Sequence, residues 1–191
     1  MLVDTEYRTP AGKRIVFLDI DGPFCTMRSM VAGLKFDPIS VAVVNKFLQI
    51  PNTFVVIASV ERKLHATPEG MAERLLRKYN LIVPQFHEDW RTGSSMRLRQ
   101  DEVQAWLDKN GRDEDTDYVS IDDDPVIIDG VFQCRASYDG IMTDQLLLLR
   151  LLAGEVRWRE YNSWNGTAKS RRKGADDRIC TEVCNAPLGI S

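Results

Sequence analysis

Apolar runs of strand length alternate along this chain with segments whose apolar positions recur at helical spacing. That alternation predicts βαβ units around a buried parallel sheet. The first run extends from Arg14 to Ile20. In FDPISVAVVNKFLQI, Asp37 is placed to cap a helix and Pro38 to open it, with Val41, Val44, Phe47 and Leu48 along one face. TFVVIAS, residues 53–59, reads as a second buried strand. Thr67-Pro68 opens a further helix through Met71, Leu75 and Tyr79, and LIVP after it reads as a short third strand.

Ser94-Ser95 leads into MRLRQDEVQAWLDKNG, a helix with Val103, Trp106 and Leu107 as its stripe and Gly111 as its C-terminal stop. YVSI, residues 118–121, is the fourth strand and stops at Asp122-Asp123-Asp124-Pro125. VFQCRA is the fifth, and a last helix is expected around Gln145 to Leu152. Periodicity fades beyond Gly154, which divides the chain into a compact unit over 1–154 and a C-terminal extension over 155–191. The expected class is α/β, a Rossmann-like three-layer fold with a parallel sheet. In the extension, Lys169, Arg171, Arg172 and Lys173 lie near Trp158, Tyr161 and Trp164. That mixture suits contact with nucleic acid or packing on another subunit as a homo-oligomer.

Composition narrows the reading. At 191 residues and 43% hydrophobic, the chain can bury one ordinary core. A net charge of -3 gives no global attraction to nucleic acid or anionic membrane, so any polyanion site must be local. MLVDTEYRTPAGKR lacks an apolar leader core, and Asp144 and Arg150 interrupt the most apolar run, so a protein neither exported nor membrane-bound is expected. Four scattered cysteines, Cys25, Cys134, Cys180 and Cys184, read as reduced thiols in a cytoplasmic setting. Cys180 and Cys184 lack two further ligands at suitable spacing, since His65 and His87 lie far off, and this argues against zinc.

The chemistry is concentrated in IVFLDIDGPF, where four apolar residues run into Asp19 and Asp21 and the chain turns on Gly22. Alternate positions of an extended strand share a side, so the two carboxylates lie together. Parallel strands joined by right-handed crossovers end on one edge, which brings Asp19, Asp21, Ser59, Asp122 and Asp123 into convergence. Such acids repel one another unless a cation sits among them, and an oxygen-rich set suits Mg2+. The EF-hand pattern of calcium loops is missing. Taken singly, DIDG also reads as a strand with an Asp-Gly turn, and IDDDP as a capped turn. Their order, with a Ser-ended strand between them, gives the set its weight.

These residues resemble the haloacid dehalogenase (HAD) superfamily of phosphohydrolases. Asp19-Ile20-Asp21-Gly22 is similar to its first motif, VVIAS ending at Ser59 to its second and YVSIDD to its fourth, over roughly residues 14 to 153. FDPISVAVVNKFL, RQDEVQAWL and YDGIMTDQL are similar to a small branch associated with RNA-repair and phage-type proteins. The resemblance implies that Asp19 is the nucleophile, that Asp21 is the acid and then the base, and that Ser59 bonds a phosphoryl oxygen. It implies Mg2+ held by Asp19, by Asp21 through its backbone carbonyl, and by Asp122 or Asp123. The family's charge-offsetting cation is usually lysine; here Arg97 and Arg99 are the candidates, with Arg99 preferred. A basic side chain in a first helical turn works against the helix dipole by about 0.3 to 1 kcal/mol, which makes a purely structural role less attractive. Gly22, Arg62 and Arg97 are the candidate substrate contacts.

Two departures stand out. Pro23 follows the motif glycine where the family commonly has Thr or Val, and no lysine fills the cation position. Between Gly22 and Thr53 there is room for little beyond one helix, so the cap is minimal and the site open. In this superfamily an open site goes with large substrates, such as nucleic-acid ends, or with capping by a partner. The expected activity is Mg2+-dependent hydrolysis of phosphomonoesters, on nucleotides or nucleic-acid phosphate ends. Pro23 and the absent lysine motivate the alternative, a non-catalytic HAD-like binding or assembly module.

Overall fold

The computed structural model describes residues 12–93, 98–136 and 140–141. Ser94, Ser95, Arg97, the expected helix at 145–152 and the extension over 155–191 lie outside the described residues.

Among the described residues, five parallel strands form one sheet: β1 (Lys13–Leu18), β2 (Thr53–Ile57), β3 (Phe86–Arg91), β4 (Thr116–Asp122) and β5 (Val131–Arg135). Their order is β3-β2-β1-β4-β5. The helices are α1 (Asp21–Phe24), α2 (Met27–Val31), α3 (Pro38–Leu48), α4 (Pro68–Tyr79) and α5 (Arg99–Asn110), with a 3-10 turn at Val60–Leu64. The alternation of β1 feeds two cores. Val16 and Leu18 pack with Val44 and Phe47 of α3 and Met71 and Leu75 of α4. Ile15 and Phe17 face the other way, onto Val103, Trp106 and Leu107 of α5. The three layers follow from this, and the strands read as continuous apolar runs because both faces are covered.

α3 starts as the sequence predicts: the Asp37 carboxylate accepts from the N–H groups of Ile39 and Ser40 at 2.9 and 3.1 Å, with Pro38 in the first turn. Asp37 is fully buried and also receives the Thr26 hydroxyl and the Arg28 guanidinium, so one carboxylate ties α2 to α3. α4 is capped by Thr67 and ends at Asn80, which turns the chain with φ 57°. Gly111 closes α5 with φ 76°.

The third strand is not LIVP. Residues 81–85 are irregular, and Phe86–Arg91 pairs with β2 instead. Pro84 cannot donate to a ladder. FHEDWR can, and its polar alternation suits the sheet edge it occupies, where among the described residues one side of the strand has no partner strand. The pairing is irregular between Val55 and Ile57, so this edge is less regular than the β1–β2 and β1–β4 ladders. No helix among the described residues is long and apolar enough to cross a membrane.

β1 is the centre of the sheet. The chain leaves it through α3 and α4 toward β2 and β3, then α5 carries it back across the other face to β4. Neighbouring connections therefore depart in opposite directions at the C-terminal end of β1, the kind of switch point where α/β sheets open a crevice.

Candidate active site

Three carboxylates meet at that crevice. Asp19 follows β1, and its N–H bonds the carbonyl of Ile121 at 2.9 Å, which seats it beside the last residue of β4, Asp122. One oxygen from each of Asp19, Asp122 and Asp123 lies within 4.8 Å of the others. Asp19 and Asp122 are 5% and 1% exposed, whereas Asp123 is open to solvent. Burial pushes the Asp19 carboxyl up to about 6 even though Arg99 counteracts it. Burial, with the charge of Asp19 next, pushes Asp122 up to about 7.

Asp122 divides its oxygens. Oδ1 accepts from the N–H of Asp124 at 2.9 Å, which caps the turn after β4. Oδ2 is buried and accepts no hydrogen bond among the described residues. Arg99 Nε lies 2.9 Å from it, but the N–H is not aimed at the oxygen, so the contact is coulombic and leaves lone pairs open. A buried carboxylate oxygen without a donor is costly. A hard divalent cation among three carboxylate oxygens removes that cost, so these residues fit such an ion.

Asp21 is outside this group of three, although its charge still bears on Asp19. It opens α1, is exposed, and its carbonyl accepts from the N–H of Cys25 at 2.8 Å. Its carboxyl is raised by partial burial and then by the charge of Glu61. Gly22 follows it beneath Asp123: a Cβ there would overlap the Asp123 carboxylate. Pro23 falls in the first turn of α1, where backbone N–H groups have no helical partner, so the ring removes no hydrogen bond.

Arg99 is the first residue of α5 and touches three carboxylates. Nη2 is 3.3 Å from Asp19 Oδ1, Nη1 donates to Glu102 Oε2 at 2.6 Å, and Nε is beside Asp122. It stands where a charge-offsetting cation is needed.

Ser59 and Arg62, expected to face substrate, face the protein. Ser59 is fully buried and its hydroxyl accepts from the N–H of Glu61 at 3.4 Å, capping the 3-10 turn. Arg62 is 3% exposed and donates to the carbonyls of Ala58, Ser59 and Gly93 and to Glu102. Through its two terminal nitrogens the buried guanidinium braces the loop after β2. Arg97 lies outside the described residues.

Sequence reasoning missed Glu102 and Glu61. Glu102 joins Arg62 to Arg99. Glu61 is 5% exposed and holds Arg74, Lys78 and Tyr79 beneath the turn. An available signal was the spacing of Arg99 and Glu102, three residues apart and so neighbours on a helix.

A family model described as HAD domain in Swiss Army Knife RNA repair proteins matches residues 15–142. No curated protein and no solved structure matches the chain. The matched segment begins inside β1 and spans the ends of both strands that supply the carboxylates, and the chain belongs to this family of HAD domains, as a HAD-type hydrolase.

Proposed function

We propose that this chain is a Mg2+-dependent phosphomonoester hydrolase that works through an aspartyl-phosphate on Asp19, with nucleotides or nucleic-acid phosphate ends as its substrate class. The observation that carries the reading is the buried Asp19–Asp122 pair with Asp123 beside it and, within it, Asp122 Oδ2, which accepts no hydrogen bond among the described residues. Asp19, Asp122 and Asp123 would hold the ion. When bound, Mg2+ would act as a Lewis acid that offsets charge on the phosphoryl oxygens.

Asp19 attacks phosphorus, and the bond to the leaving oxygen breaks as the Asp19–phosphorus bond forms. Asp21, exposed at the head of α1 with a raised pKa, gives that oxygen its proton. Asp19 is then an acyl phosphate and cannot also serve as base, so the Asp21 carboxylate takes a proton from water. The hydroxide formed attacks phosphorus, the Asp19–phosphorus bond breaks, and inorganic phosphate leaves. Arg99, 3.3 Å from Asp19, offsets the charge of nucleophile and phosphate together.

The substrate class is read from the approach to the site. Only α1 and α2 stand between Asp21 and Pro38, and only residues 92–98 between β3 and α5, so the chain has no room for a cap domain at either place. Exposed Met30, Val31, Val60, Leu64 and Ile127 lie on segments that leave the C-terminal ends of β1, β2 and β4. Exposed apolar side chains on these segments suit a phosphate joined to a larger, less polar body. The family's description in terms of RNA repair points the same way. The non-catalytic alternative drew on Pro23 and the missing lysine. Pro23 fits the first turn of α1, and Arg99 stands beside Asp19.

Phosphate release from an aryl phosphate, from 5′- and 3′-nucleotides and from 5′- and 3′-phosphorylated oligonucleotides, with and without Mg2+, tests the reading. Asp19→Asn should abolish release from every substrate while its circular dichroism stays that of the wild type. Turnover retained by Asp19→Asn, or wild-type turnover indifferent to Mg2+, overturns it.

A further inference from the structure

The group that holds Arg99 in place is Glu102. It lies three residues further along α5, is 6% exposed, and its two oxygens serve different arginines. Oε1 accepts from Arg62 Nη2 at 2.7 Å, and Oε2 accepts from Arg99 Nη1 at 2.6 Å. Thr92 Oγ1, at 3.4 Å from Oε2, closes the remaining side. Arg62 carries the connection on to the Ala58 and Ser59 carbonyls at the end of β2, and to Gly93 after β3.

A guanidinium next to a carboxylate prefers a fork of two parallel hydrogen bonds. Were Arg99 to close on Asp19 in that way, it would engage both oxygens of the proposed nucleophile. In the structure only Nη2 reaches Asp19, at 3.3 Å, because Nη1 is taken by Glu102 at the shorter distance of 2.6 Å. Arg99 thereby engages only Oδ1 of the Asp19 carboxylate.

We propose that Glu102 is a positioning residue: by holding one nitrogen of Arg99 it keeps that arginine from forking onto Asp19, and through Arg62 it fixes the same arrangement to the loop carrying Ser59. The proposal rests on the hydrolase reading for its kinetic consequence, but its geometric claim stands separately. Glutamine at this position offers one acceptor oxygen where two arginines need one each, and its amide hydrogens face the arginine left over.

The test compares wild type with Glu102→Gln by steady-state kinetics at saturating Mg2+ and by crystal structures of both. The expected result is a fall in kcat of about 10- to 100-fold with KM changed by less than about threefold, as for other groups that orient a ligating or reacting side chain. Arg99 of the variant should have two nitrogens on Asp19. Should Glu102→Gln not fold, Glu102→Asp keeps the charge but shortens the reach, and is expected to show the same kcat loss in milder form. A kcat within about twofold of wild type, or a rise in KM alone, overturns the proposal. A wild-type protein without turnover counts against the hydrolase reading, and the position of Arg99 in the two crystals then decides this one: an unmoved guanidinium sinks it.

Discussion

The Asp123 carboxylate occupies the space that a side chain at Gly22 would need. Gly22 does not have the left-handed backbone that usually demands glycine. Its lack of a Cβ instead lets the loop after β4 close over the head of α1, so that Asp123 stands with Asp19 and Asp122. A backbone position near β1 thus decides whether a carboxylate from β4 belongs to the site.

Gly22→Ala should therefore separate metal binding from folding. Alanine favours a helix over glycine by about 0.8 to 1 kcal/mol, so α1 itself loses nothing. Asp123 is a short side chain and must rotate out. The Mg2+ concentration for half-maximal phosphate release should rise about tenfold or more, with the melting temperature within a few degrees of wild type. Titration of activity with Mg2+ checks this, and an unchanged requirement would place Asp123 outside the metal set.

Glu61 gives a second, independent handle. Burial would raise its pKa, but hydrogen bonds from Arg74, Lys78 and Tyr79 outweigh burial and hold it at about 2. The folded pKa is thus depressed below an unfolded value of about 4.3. Its stabilisation is fully present above that unfolded value and is lost as pH falls toward 2. The linkage is worth on the order of 2 to 3 kcal/mol, discounted because Arg74 and Lys78 are partly exposed. Glu61→Gln should accordingly unfold at lower urea than wild type at pH 6, and the gap should narrow steadily below pH 4. A gap that stays constant down to pH 2.5 would mean that the network is not ionic in the sense described.

The strands and the paired acids were legible because burial and charge leave opposite marks on a sequence: IVFL must be inside, and DID must be where the strand emerges. Asp37-Pro38, Thr67-Pro68 and Gly111 were legible for the same local reason, since capping and φ preference act within a few residues. β3 was not, because an edge strand need not be apolar: FHEDWR is set by pairing with β2, a relation across some thirty residues of sequence that no local pattern records. Ser59 and Arg62 follow β2 as read, but a sequence does not show which turn groups they meet: the Ser59 hydroxyl accepts from the N–H of Glu61, and Arg62 donates to the carbonyls of Ala58 and Ser59. For Glu102 the spacing from Arg99 was a local signal, but its link to Arg62, forty residues away, was not legible.

Asp19 and Asp122 make the stability of the metal-free protein depend on pH. Their carboxyls sit at about 6 and about 7 in the fold, both above the unfolded aspartate. Each affects the other, so they titrate as a pair. Between about pH 4 and pH 7 the folded protein holds more protons than the unfolded chain, and stability falls as pH rises through that window. The penalty is complete above the folded values and relieved below about 4. In EDTA the melting temperature should therefore drop from pH 5 to pH 8. Mg2+ favours the ionised pair, so it should stabilise the fold by about 2.7 kcal/mol at a hundred times its dissociation constant, and a fixed Mg2+ concentration should stabilise more at pH 8 than at pH 5. Thermal unfolding at the two pH values, each with EDTA and with Mg2+, checks both signs. Greater stabilisation by Mg2+ at pH 5 than at pH 8 would place the ion somewhere other than this buried pair, because at the pair binding competes with protons that the fold itself retains.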